Sequence, residues 1–116
     1  MNNKKWRIVN IESGMPTVSE AEQRMALELA KARREGVSGL KIIHGYGSTG
    51  VGGKLREAMR KWLARRQREG KVKCFVAGEN WSIFDENSRA ILEKNPDIRR
   101  DADLGNCNAG ITIVML

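Results

Sequence analysis

One histidine, His44, closes the apolar run Leu40–His44, and five glycines follow it within residues 45–53: Gly45, Gly47, Gly50, Gly52 and Gly53. Glycine lets the backbone approach a ligand closely, and a helix starting after such a loop presents unpaired N–H groups and the positive end of its dipole. Strand end, glycine loop and helix start together make an anion site, with phosphate as the natural ligand. Lys54 and Arg56 stand at the opening of that helix. Cations placed there oppose the helix dipole, and an anion joining them relieves the conflict. Arg60 and Lys61 follow, either extending the contact or forming a solvated basic face. His44 is open to two readings. It is a structural group satisfied inside the fold, or it meets phosphate and moves a proton near neutral pH.

Two nucleotide-binding patterns fail on this loop. Gly45-x-Gly47-x-x-Gly50 has the dinucleotide spacing, but no acidic residue stands about 20 positions on, where the ribose would need one. The phosphate loop of nucleoside triphosphatases fails as well, because Ser48 and Leu55 occupy the places of its first glycine and its metal-binding hydroxyl.

The elements that must position the loop are legible from periodicity. Arg7–Glu12 reads as a strand with Val9 and Ile11 on one side, broken by Gly14 and Pro16. A helix is expected from Val18 to Glu35, with Thr17 or Ser19 as cap, Glu20 or Glu22 at its positive end, Ala21, Met25, Leu29 and Ala32 inward and Gly36 as stop. A second helix is expected from Gly53 or Lys54 to Gln67, with Leu55, Ala58, Met59, Trp62 and Leu63 forming an apolar stripe. Lys71–Ala77 reads as a third strand, and a short helix is expected over Ser82–Glu93, ended by Asn95-Pro96. Ile111–Leu116 is apolar on both faces, as in a central strand. The order β-α-β-α-β-(α)-β implies an α/β sheet with parallel pairs.

At 116 residues the chain is long enough for one core without staples. No run approaches a membrane span, and the start lacks the apolar stretch of a secretory signal, so a cytoplasmic protein is expected. Cys74 and Cys107 have no metal-ligand spacing and read as free thiols. Glu12, Asp101 and Asp103 are the available carboxylates. No metal or other cofactor is expected, except a divalent cation if the chain is catalytic. The net charge of +7 is uneven: residues 41–78 carry +8, against +2 before and −3 after. A basic surface on the glycine loop and its helix suits a polyanion, with plain solubility as the alternative.

The stretch HGYGSTGVGGKLREAMRKWL, residues 44–63, resembles the second signature of the small MutS-related (Smr) domain, in which a strand ends in His-Gly-x-Gly before a helix of Leu-Arg-x-x-Val-x-x-Trp-Leu type. The resemblance spans residues 8–78 and 108–116 of a single domain covering 1–116, and leaves 79–107 as an insertion. It implies a two-layer α/β sandwich similar to the C-terminal domain of bacterial translation initiation factor three. It also implies nucleic-acid binding, with RNA placed slightly ahead of DNA, and in several members phosphodiester cleavage. Backbone phosphates would be held by His44, Gly45, Gly47, Gly50, Gly52, Gly53, Lys54, Arg56 and Arg60. The family's first signature, Leu-Asp-x-His-Gly, is altered: Asn10 stands for the aspartate and Glu12 for the histidine. A two-histidine nuclease is therefore excluded. If the chain cuts, His44 serves as acid or base with Glu12 opposite. The rivals are a small-molecule phosphate module and a protein partner held by the insertion, where Trp81 and Phe84 are read as anchors that could also stack on a base.

Overall fold

The computed structural model describes residues 5–45 and 51–116. Strand β1 (Lys5–Asn10) leads through a turn into helix α1 (Val18–Arg34), strand β2 (Val37–Ile43), helix α2 (Val51–Arg68) and strand β3 (Cys74–Ala77). Helix α3 (Glu86–Lys94) and strand β4 (Ile111–Met115) follow, with short 3₁₀ turns at Gly78–Asn80 and Pro96–Arg100.

Local chemistry sets the boundaries. Of the two candidate caps for α1, Thr17 is the one used: its hydroxyl accepts from Glu20 N at 3.1 Å, and the Glu20 carboxylate accepts from Thr17 N at 2.9 Å. Helix α2 starts earlier than expected, so Gly52 and Gly53 lie in its first turn rather than in the loop. Strand β3 is shorter than the alternation of Lys71–Ala77 suggested, and α3 starts at Glu86, where Asp85 caps it by accepting from Ser88 N at 2.9 Å.

The sheet order is β1-β2-β4-β3. β1 and β2 are parallel neighbours, while β4 runs antiparallel to both β2 and β3. β2 and β3, joined through α2, are thus parallel but not adjacent, because β4 fills the gap between them. This explains why β4 is apolar on both faces.

Strand alternation divides the core in two. Toward α1 and α2 point Val9, Leu40, Ile42 and Val114, meeting Ala21, Met25, Leu29, Leu55, Met59, Trp62 and Leu63. Toward the opposite side point Cys74, Val76, Ile111 and Ile113, and the segment between β3 and β4 covers them with Trp81, Ile91, Leu92 and Ile98. The two-layer sandwich therefore carries a shorter third layer. Among the described residues no helix is long and apolar enough to cross a membrane.

Candidate nucleic-acid interface

His44 lies just past the end of β2, on the face that α2 covers, and has no exposed surface. Its Nδ1 is 2.8 Å from the Gly45 carbonyl and its Nε2 2.8 Å from the Thr112 hydroxyl. A carbonyl only accepts, so Nδ1 carries the proton and Nε2 accepts from Thr112. Burial, with the charges of Arg60 and Arg56, outweighs the Gly45 hydrogen bond and Glu79 and brings the imidazole pKa down to about 4. His44 is neutral at pH 7. The phosphate contact and the proton transfer considered for it each call for these two hydrogen bonds to open.

Thr112 passes the chain of bonds on to α2. Its hydroxyl accepts from Arg60 Nε at 3.2 Å while donating to His44. Arg60 Nη2 reaches the carbonyls of Ile111 at 3.2 Å and Ala109 at 3.4 Å. The outer edge of the same guanidinium holds the Glu79 carboxylate in a fork, Nη2 to Oε1 at 2.9 Å and Nη1 to Oε2 at 3.2 Å. Partial burial raises the Glu79 pKa, but the Arg60 hydrogen bonds, its own backbone amide and the charges of Arg60 and Arg56 carry it below the usual carboxylate value. Arg60 thus ties α2 to β4 and to the turn after β3.

Glu12 is exposed, yet it is brought to the loop. Gly45 has φ +80°, and a methyl group added to it would overlap the Glu12 carboxylate. Position 45 therefore favours glycine for its backbone conformation, while the exposed Glu12 side chain can move aside for a methyl group. Asn10, in the place of an acid, is used locally: its Oδ1 accepts from Glu12 N at 2.9 Å and Ser13 N at 3.0 Å, turning the chain after β1. Of the other loop positions, Gly47 and Gly50 lie outside the described residues.

Lys54 and Lys61 are exposed and Arg56 is half-buried, and among the described residues none of the three forms an ion pair. Two grooves run along them. One, of about 290 Å³, is lined by Val18, Glu22, Lys54, Glu57, Ala58, Lys61 and Arg65. The other, of about 470 Å³, is lined by Arg56, Glu57, Arg60, Lys61, Ala64 and Glu79. Trp62 is buried in the core with the Arg66 guanidinium 4.8 Å above its ring.

The two carboxylates at 101 and 103 are engaged elsewhere. Both bind Lys41, at 2.7 and 2.6 Å, on the opposite face of the sheet. Asp101 also accepts from Trp81 Nε1 at 3.0 Å. Among the described residues no three His, Cys, Asp or Glu gather as metal ligands. Trp81, 1% exposed, anchors the segment after β3 as expected, whereas Phe84, 85% exposed, anchors nothing and stands in solvent. The residues that sequence reasoning missed are Thr112 and Glu79. Thr112 carried one available signal, as the sole hydroxyl in the apolar strand ITIVML.

Comparison with known proteins agrees with this architecture. The family model described as "Smr domain" matches residues 13–82, more than half of the chain. The structure is similar to the crystal structure of the Smr domain of Thermus thermophilus MutS2, with a TM-score of 0.55 and 28% identity over 97% of this chain and 96% of that one. No curated protein matches the chain. With the strand, His44, the loop and the basic helix all inside the matched region, the chain belongs to the Smr domain family.

Proposed function

We propose that this domain binds nucleic acid through backbone phosphates, using Lys54, Arg56, Arg60 and Lys61 along α2 and the backbone of Gly45, Gly47, Gly50, Gly52 and Gly53 at its start. The observation that carries the reading is the row of cations on α2, of which Lys54, Arg56 and Lys61 form no ion pair among the described residues while bordering two open grooves. Fixed cations on a helix meet the regular spacing of phosphates and release counterions on binding. His44 serves this site from inside the fold, its Nδ1 donating to the Gly45 carbonyl at 2.8 Å. The free thiols Cys74 and Cys107 fit a reducing cytoplasm.

Binding is tested by anisotropy with single-stranded RNA and duplex DNA over a salt series. Affinity falls steeply as salt rises, and the RNA arm is expected to bind slightly tighter. Absence of binding even at low salt would overturn the reading. Saturable binding of a mononucleotide, independent of polymer length, would point to a small-molecule site instead.

A second reading is phosphodiester hydrolysis. What favours it is the Glu12 carboxylate lying against Gly45, one residue from His44. In that scheme His44 moves a proton, Glu12 acts opposite or holds a divalent cation, and the α2 cations stabilise the charge that develops on phosphorus. It requires cleavage that copurifies with the chain and vanishes in His44→Ala.

A further inference from the structure

The Arg60 guanidinium is held from behind. Thr112 and the carbonyls of Ala109 and Ile111 engage Nε and Nη2, so its plane is fixed relative to β4. Its outer edge opens on the groove of about 470 Å³ shared with Arg56 and Lys61. A fixed fork of this kind recognises two oxygens on one centre, and carboxylate and phosphate satisfy it equally well. In the free chain the two oxygens are those of Glu79, at 2.9 and 3.2 Å. Glu79 is itself partly exposed, with 41% of its side chain open to solvent. Its backbone is fixed independently, since Gly78 is packed so closely against the Asn108 and Ile111 carbonyls that no side chain fits there. The carboxylate is therefore free to swing away from Arg60 without unfolding the turn that bears it.

We propose that Glu79 is a built-in substitute for phosphate: it occupies the outer edge of Arg60 in the free protein, and a nucleic-acid phosphodiester binds there by displacing it. The proposal rests on the nucleic-acid reading above and adds a residue that sets its affinity. Exchange of one anion for another keeps Arg60 paired throughout, so neither state leaves a half-buried guanidinium bare. It also makes the site selective, because a weak or singly contacting anion cannot outcompete a tethered carboxylate, whereas a polyanion held at once by Lys54, Arg56 and Lys61 can.

The test uses the full chain and a fluorescein-labelled oligonucleotide, single-stranded RNA or duplex DNA, followed by anisotropy. A half-exposed ion pair contributes a factor of up to about five to an equilibrium, so Glu79→Gln and Glu79→Ala should each tighten binding by about threefold to fivefold. Asp97→Asn, which removes the same charge outside the groove, serves as the control and should change affinity far less. In an Arg60→Gln background, or in Arg60→Lys if that variant does not fold, the gain from Glu79→Gln should shrink or vanish. Equal affinity for wild type and Glu79→Gln, or a gain no larger than that of Asp97→Asn, overturns the inference while leaving the nucleic-acid reading in place. Failure of every variant and of wild type to bind at low salt overturns that reading, and the inference with it.

Discussion

The Thr112 hydroxyl accepts from Arg60 Nε at 3.2 Å and donates to His44 Nε2 at 2.8 Å, all in a region with little access to water. Thr112→Val keeps the shape and removes both bonds, leaving the His44 nitrogen unpaired in a buried site. A loss of about 2–3 kcal/mol is expected, read from the urea midpoint. His44 also ties stability to pH. Its pKa is about 4 in the folded chain against 6.5 in an unperturbed one, so the unfolded chain binds the extra proton between these values. Stability from this group is complete above pH 6.5 and is lost as pH falls toward 4, by about 3 kcal/mol in total. Urea unfolding at pH 7.5, 5.5 and 4.5 checks it: wild type should lose more than His44→Gln over that range, and parallel curves would refute the burial argument.

Helix α2 has two distinct faces. Leu55, Met59, Trp62 and Leu63 are buried against the sheet, while Lys54, Arg56 and Lys61 face the grooves. The two faces should separate cleanly on mutation. Lys54→Ala/Arg56→Ala leaves the buried face intact, so the melting temperature should hold while the slope of log affinity against log salt becomes shallower by about one for each phosphate no longer engaged. An unchanged slope would mean that neither residue meets phosphate. Trp62→Ala, by comparison, removes a core side chain under Arg66 and belongs to stability alone.

At the scale of the whole molecule, the segment between β3 and β4 is fastened to the sheet by a buried polar cluster. Lys41, 7% exposed, binds Asp101 and Asp103, and Trp81 donates to Asp101. Burial alone would lower the Lys41 pKa, but its bonds to the two carboxylates outweigh this and hold it above the ordinary value, so the cluster stays charged. Lys41→Met leaves two carboxylates facing each other without a cation, at an expected cost of about 3–5 kcal/mol. Amide exchange should then rise in α3 and around Trp81 before it rises in α1. Uniform loss of protection would show that the third layer is not a separable unit.

Local patterning along the chain was enough to specify the order of elements, the inward residues of α1 and α2, the strand–histidine–glycine–helix unit and the family it belongs to. Each of these is a short-range property: a 3.6-residue period, a cap, a glycine after a strand. Which residues meet across the sheet is a different matter, settled only by assembly. Thr112 stands 68 positions from His44, and Glu79 reaches Arg60 from a different element. Asp101 and Asp103, read from the sequence only as available carboxylates, are bound to Lys41, because β4 inserts antiparallel between β2 and β3 and carries the preceding segment onto the far face. Strand order and facing are long-range packing outcomes that no single stretch encodes. The chain therefore shows its glycine loop openly, while the Glu79 carboxylate that pairs with Arg60 becomes visible only once the sheet is assembled.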